Sequence, residues 1–253
     1  MHVNEVTFSI VGHAAWAPGI ETPDAWHAWA GAPFEIGTGP EPGVKQMPAM
    51  LRRRAGFLGK MALEVAYRVA DEASYGCAEG NNGVPAVFCS RHGDVARALE
   101  LLSDLGAGAP LSPASFGLAV HNAGAGLFSI ARGDKTNHVA VAGGASSIEH
   151  AVIEACGLLA DGAPQVLLVA YDTVLPQPFA PYQDCREQPH AWAWLLRQDG
   201  AERIGLSWEA AGGLETATDG LPGTLEVLRF HLRKDALLER AADGRVWRWK
   251  RHG

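Results

Sequence analysis

The chain has 253 residues, 47% hydrophobic and 19% charged, which is enough for one well-buried core or at most two small domains. A formal charge of −7 excludes nucleic acid as the main ligand, because phosphate binding needs a basic surface. No apolar run reaches the roughly 18–20 residues of a membrane span, and the four cysteines lack disulfide or metal-ligand spacing, which fits a reducing cytoplasm and no bound metal or other cofactor.

Residues 3–11 alternate as a strand does, with no basic and apolar leader ahead of them. Residues 13–48, rich in Gly, Pro and Trp, predict a long loop with a short helix around 23–30. From 51 to 73, Leu58, Met61, Ala62, Val65, Ala66 and Val69 recur at three and four, the period of a helix. Gly76 and Gly80-Asn81-Asn82-Gly83 end it, since both residue types accept positive φ. Residues 84–90 are short and apolar enough for a buried parallel strand. Asp94 is placed to cap the next helix, with Val95, Leu99 and Leu102 as its stripe. Ser112-Pro113-Ala114-Ser115 opens another, predicted to run to Ala131 with His121-Asn122 in its middle.

Residues 139–142 predict a strand, Ser146 or Ser147 caps a helix ending near Leu159, and 166–171 is again a buried strand. Strands and helices alternating through short turns imply an α/β protein, a mainly parallel sheet with helices on both faces. From 190 the pattern changes. Residues 190–196 and 204–208 predict two strands joined at Asp199-Gly200, followed by a helix at 222–232 and a strand at 245–251, a C-terminal antiparallel addition. With no repeat and no linker, 1–253 is expected to form a single domain. The basic runs Arg52-Arg53-Arg54 and 245–251 fit a helix end and a solvated face.

Four features are candidates for chemistry. Cys89 and His92 lie at a strand's carboxyl end, where α/β folds place ligands, and a thiol with an imidazole base is an acyltransferase-like pair. Cys89 sits within the apolar run, though, so a core thiol is favoured, with Arg91 and His92 exposed on the loop. His121-Asn122, two polar groups on an apolar helix, need partners if buried. Cys156, among Ala155 and Leu158, is a core thiol. Gly143-Gly144-Ala145-Ser146-Ser147 is a strand–turn–helix elbow of the kind that presents a nucleophile, here without one.

Residues 112–147, read without a gap, resemble the segment of β-ketoacyl-acyl-carrier-protein synthases that leads into their active-site cysteine. Ser112-Pro113 opens it, Asn122 takes the Asn position, Ala125-Gly126 and Ser129-Ile130 follow, and Gly133 precedes the strand. The family's Thr-Ala-Cys-x-Ser/Thr-Gly motif falls on residues 143–148, which puts Ala145 at the nucleophile's position. With Ser90-Arg91-His92-Gly93-Asp94 and Val120-His121-Asn122, the chain is similar to stand-alone β-ketoacyl synthase-like N-terminal proteins. These are chain-length-factor-like partners in aryl polyene and related type II polyketide or fatty-acid-type synthesis.

The resemblance implies a thiolase-like half-fold. The family's catalytic cysteine is absent, and its two histidines, carried on the second half, have no counterpart. It therefore implies no catalytic residue of the chain's own and a heterodimer with a full-length β-ketoacyl synthase, reaching acyl carrier protein through that complex. Phe116, His121, Asn122 and Phe128 are the expected interface or acyl-tunnel residues, with Arg91 and His92 on the loop. The alternatives are an independent acyltransferase using Cys89 and His92, and an acyl-carrier-protein binding module.

Overall fold

The computed structural model describes residues 4–71, 83–213 and 220–252. Its strands are β1 (Asn4–Trp16), β2 (Ala86–Cys89), β3 (His138–Val141), β4 (Val166–Asp172), β5 (His190–Arg197), β6 (Arg203–Ala210), β7 (Leu237–Ala242) and β8 (Arg245–His252). Its helices are α1 (Pro23–Gly31), α2 (Ala49–Arg52), α3 (Phe57–Ala70), α4 (Val95–Gly106), α5 (Pro113–Gly117), α6 (Ala123–Arg132), α7 (Ser147–Ala160) and α8 (Gly223–Arg233). Met1 to Val3, and the proposed helix terminators Gly76 and Gly80-Asn81-Asn82, lie outside the described residues.

All eight strands join one sheet in the order β3-β2-β4-β5-β1-β6-β8-β7. The α/β class and the C-terminal antiparallel addition hold, but parallel pairing is confined to β2 with β3 and β4. β5 and β6 are not a hairpin, as their short connection suggests. β1 runs between them, its first half paired with β6 and its second with β5. Ser9 lies opposite Arg203 on one side and Arg197 on the other. The connection therefore crosses the edge of β1 at Ser9, and a Cβ on Gly200 would come within 2.6 Å of Ser9 Cβ. That close approach is why the turn needs glycine.

Helices cover both faces. Phe8, Trp192, Trp194, Trp247 and Trp249 fill one side with residues of α1, α7 and α8. On the other, Phe88, Leu167, Val169 and Leu195 meet α3 and α6. β5 supplies both, because successive side chains point to opposite faces and all of 190–196 is buried.

Two predicted helices are each broken in two. The first breaks at 53–56, where Gly56 is extended (φ −72°, ψ 178°) and a Cβ would come within 2.9 Å of Arg97 Nη2. The second breaks between Gly117 and Ala123, so His121 and Asn122 lie in a turn rather than mid-helix. β7 was missed. Its signal was Asp243-Gly244, both at positive φ (48° and 72°), the two-residue hairpin turn that joins it to β8.

Candidate functional site

β3 ends at Val141, Gly144–Ser146 forms one 3-10 turn, and α7 starts at Ser147. Gly144 has φ 62°, and a Cβ on Gly143 would come within 2.9 Å of His150 Nδ1, so this elbow requires both glycines. Ser147 Oγ accepts from the Gly143 N–H (2.9 Å) and donates to the Gly144 carbonyl (2.8 Å). Ser146 is buried, and both its N–H (2.8 Å) and its hydroxyl donate to Asp243 on the β7–β8 turn. The predicted serine cap is thus a turn lock. Neither hydroxyl is free to act as a nucleophile.

The C-terminal hairpin grips the elbow a second time. Arg240 on β7 donates to the Ala145 carbonyl (3.2 Å), to Glu149 (2.6 Å) and to Glu226 (2.9 Å). The Trp249 indole N–H also donates to Glu149 (3.2 Å), whose side chain is wholly buried. Burial alone would lower the Arg240 pKa, but the opposed Glu149 and Glu226 carboxylates more than reverse it. A cavity of about 250 Å³ adjoins Ala145, walled by Arg91, Arg240, Asp184, Cys185 and Glu226. Its charges are already matched within the protein. Burial pushes the Cys185 thiol up to about 11, against the pull of Arg91.

The Ser90–Asp94 loop proves to be a scaffold. Asp172, buried at the end of β4, accepts from the Ser90 hydroxyl (2.8 Å) and the Arg91 N–H (2.9 Å). Burial raises its carboxyl to about 6, although both hydrogen bonds and Arg91 oppose the shift. Gly93 is at φ 68°, and a Cβ there would come within 2.7 Å of His121 Nδ1. His121 Nε2 lies 2.9 Å from the Ser90 carbonyl, and the Tyr171 hydroxyl donates to the His121 carbonyl (3.3 Å). The two motifs singled out in the sequence therefore touch each other. Asp94 caps α4 as expected, accepting from the Arg97 N–H (3.1 Å).

Arg91 was expected on the surface and is not. Its side chain is 5% exposed, paired with Asp184 and donating to Cys185 Sγ. His92 lies 3.3 Å from Glu187. Cys89 is fully buried, and desolvation raises its pKa, with Asp172 and Glu149 adding to the shift. Among the described residues no hydrogen bond joins Cys89 to His92, so the thiol–imidazole pair lacks both access and an activating contact. Cys156 is partly buried against the core, its thiol pushed up to about 12 by burial.

The four expected partner-facing residues divide. Phe116 is 65% exposed and Asn122 lies at the surface, whereas His121 is half-buried. Phe128 points inward, edge-on to Tyr67 (5.2 Å between ring centres) and tilted against Phe88 (6.2 Å). It belongs to the core and shares no face with Phe116. Large apolar side chains are exposed at several places, among them Leu102 and Leu105 on α4, Phe116 on α5, Val120, and Ile130 on α6, with Phe34, Met50 and Tyr182 exposed elsewhere. β3, which packs against α6, is half-buried, with no strand on its outer edge among the described residues. Free strand edges and unpaired large apolar side chains are features of surfaces that take partners. Sequence reasoning missed Glu149, Asp172, Arg240 and Asp243. The only signal was charged residues inside or ending apolar segments.

A mixed sheet wrapped by helices, with a strand–glycine elbow–helix unit, defines a thiolase-like, ketosynthase-type scaffold. The chain belongs to the family described as "Beta-ketoacyl synthase, N-terminal domain", whose profile matches residues 26–250. Among solved structures, it is similar to a chain of the ketosynthase (ApeO) in complex with its chain length factor (ApeC) from Xenorhabdus doucetiae. The two are 25% identical with a TM-score of 0.82, over 97% of this chain and 99% of that one. A chain of AntDE:AntF, a type II PKS acyl-carrier protein in complex with its ketosynthase, gives 0.73 at 11% identity, covering 98% and 99%. The ishigamide ketosynthase/chain length factor gives 0.62 at 16% identity, covering 81% and 67%. The last two likenesses concern the fold alone. No curated protein matches the sequence.

Proposed function

We propose that this chain is a non-catalytic, chain-length-factor-like subunit that pairs with a full-length β-ketoacyl synthase. The partner supplies the nucleophile, and this chain shapes the acyl tunnel, in aryl polyene-type or related polyene and fatty-acid-type elongation in the cytoplasm. One observation carries the reading. The elbow that presents a nucleophile in the resembling synthases presents Ala145, and its neighbours are tied down by Arg240 and Asp243. A group-transfer route through a covalent intermediate needs a nucleophile, and this elbow has none. The edge of β3, which has no further strand beyond it among the described residues, and the exposed apolar side chains of α4, α5 and α6 support pairing with another chain. Residues 1–253 act as one unit in this reading, and acyl carrier protein is met through the complex.

The test is co-expression with a full-length synthase from the same organism, followed by size-exclusion chromatography and product analysis. The expected result is a stable one-to-one complex, with condensation lost when the synthase cysteine is replaced. A chain that stays alone while the synthase elongates normally without it overturns the reading. Capture of acyl carrier protein by the isolated chain would instead support a binding module.

A further inference from the structure

The sheet has a second open edge, at β7, where no further strand pairs among the described residues. The Arg251 N–H donates to the Ala236 carbonyl (3.0 Å), and the register with β8 runs unbroken from Leu237 to Ala242. Alternation along an antiparallel pair therefore turns the backbone groups of Leu238 and Arg240 toward β8. Those of Leu237, Glu239 and Ala241 turn outward, to the open edge.

The cavity beside Ala145 lies along this edge. Glu239 and Ala241 send their side chains to one face of the sheet and Arg240 to the other, and all three line the cavity. An apolar cavity of about 150 Å³ admits benzene, so the volume here, about 250 Å³, holds one long side chain.

Charge selects that side chain. Arg91 pairs with Asp184, Arg240 with Glu149 and Glu226, and Arg248 with Glu209 and Glu239, so five carboxylates face three guanidiniums. The arginines lining the cavity are the hidden members, 5% (Arg91) and 8% (Arg240) exposed. Asp184, Glu226 and Glu239 are 40%, 34% and 49% exposed, so an incoming chain meets carboxylates first. A second copy of this chain would set the same surplus against itself, and like charges placed opposite each other destabilise a strand pair.

We propose that an extended, basic segment of another protein adds to the sheet at β7 and places a Lys or Arg side chain in the cavity beside Ala145. In such a contact main-chain pairing supplies affinity and the pocket supplies selectivity. The site lies on the opposite edge of the sheet from β3 and does not depend on the synthase partnership proposed above.

The experiment titrates the intact, ¹⁵N-labelled protein at low salt with Ac-Thr-Val-Thr-Lys-Thr-Val-Thr-NH₂ and with the same peptide carrying Glu in place of Lys. The Lys peptide is expected to shift the amides of Glu239 and Ala241 saturably. It should bind about tenfold more tightly than the Glu peptide, a preference that shrinks as salt is added. Ala241→Pro removes an outward N–H, keeps the bonds to β8, and should weaken the Lys peptide by about tenfold. Equal affinities for the two peptides, saturable shifts that leave β7 untouched, or unchanged affinity in Ala241→Pro each overturn the proposal. So does butylammonium binding as tightly as the Lys peptide, which would make the cavity a site for a free cation. Protection of the β7 amides in a concentration-dependent dimer, with no peptide present, overturns it in favour of a second copy. Only the Ala241→Pro reading needs a variant to fold.

Discussion

Arg240 holds the carbonyl of Ala145 at 3.2 Å and, with the same guanidinium, neutralises the wholly buried carboxylate of Glu149. The C-terminal hairpin thus clamps the strand–glycine–helix elbow. Removing Arg240 would leave Glu149 buried and unpaired, which costs roughly 3–5 kcal/mol for a pair of this kind. Arg240→Ala is expected to lower the unfolding free energy by that amount, read as a lower urea midpoint in equilibrium denaturation. Replacing Glu149 with Gln in the same chain should recover a large part of the loss. A midpoint unchanged in Arg240→Ala would show that the clamp contributes nothing.

Restoring the thiol should not restore the chemistry. Ala145→Cys places a sulfur on an elbow whose wall holds Arg240 and Glu226, with no imidazole among the residues around the cavity. The isolated variant is expected to alkylate with iodoacetamide yet form no condensation product from acyl and malonyl carrier protein. Turnover by the variant alone would contradict the non-catalytic reading.

Acid stability should be governed by histidines that stay neutral. Burial lowers the His231 pKa to about 3, with His13, Arg251, His27 and Lys234 adding to the shift. A histidine depressed on folding has no effect above its unfolded value of about 6.5, where both states are neutral. Below it the unfolded chain binds a proton that the folded chain refuses, so stability falls by up to about 1.4 kcal/mol per pH unit down to about 3. His190, lowered to about 4 by burial, acts in the same direction. His231→Gln should flatten the dependence by one proton between pH 6 and pH 4 in equilibrium denaturation. An identical slope would place the proton elsewhere.

Asp172 works against pH in the opposite sense. Its folded pKa of about 6 lies above the ordinary 3.8, so its contribution is full below 3.8 and is lost as pH rises through about 6. Asp172→Asn keeps an oxygen to accept from Ser90 and Arg91, and puts an amide where Oδ2 has no partner among the described residues. Relative to the parent, the variant should gain stability between pH 4 and pH 7. A difference independent of pH would refute the buried-charge account.

Much of this was readable from local pattern. The apolar run 166–171, the Asp94 cap and the elbow glycines each dictate their structure through neighbours a few residues away. What was hidden depends on distant contacts. The run 112–131 looks like one helix until His121 must meet Ser90, and Phe128 looks like a partner-facing residue until Tyr67 and Phe88 close around it. The strand order was hidden for the same reason. A short connection between β5 and β6 predicts a hairpin, and only the thirteen-residue length of β1 lets it lie between them. The clamp joins residues 91 and 97 positions apart, beyond any periodicity.

Phe116 and Phe128, paired as tunnel candidates in the sequence, should therefore separate experimentally. Phe128→Ala opens a core void and is expected to cost about 3–5 kcal/mol. A change in product length in that variant would report damage rather than gating. Phe116→Ala, at an exposed position, should cost less than about 0.5 kcal/mol. If Phe116 gates the tunnel, the variant lengthens the product while the complex stays intact. An unchanged length distribution with the complex intact removes Phe116 from that role.

The edge of β3 offers the sharpest test of the interface. The carbonyls of Asn137 and Val141 accept from Ala86 and Ser90 (3.0 and 3.3 Å), so 137, 139 and 141 turn their backbone groups toward β2. His138 and Ala140 therefore turn theirs outward, to the open edge, since neighbouring residues of a strand alternate. Proline at 140 removes an outward N–H and leaves the bonds to β2 in place. Ala140→Pro is expected to keep the isolated chain's thermal midpoint within a few degrees and to abolish, or weaken by more than tenfold, its co-purification with the synthase. If the partner adds no strand here and packs only on α4, α5 and α6, the complex survives the substitution. In that case Leu105→Glu, on the exposed face of α4, becomes the variant that breaks it.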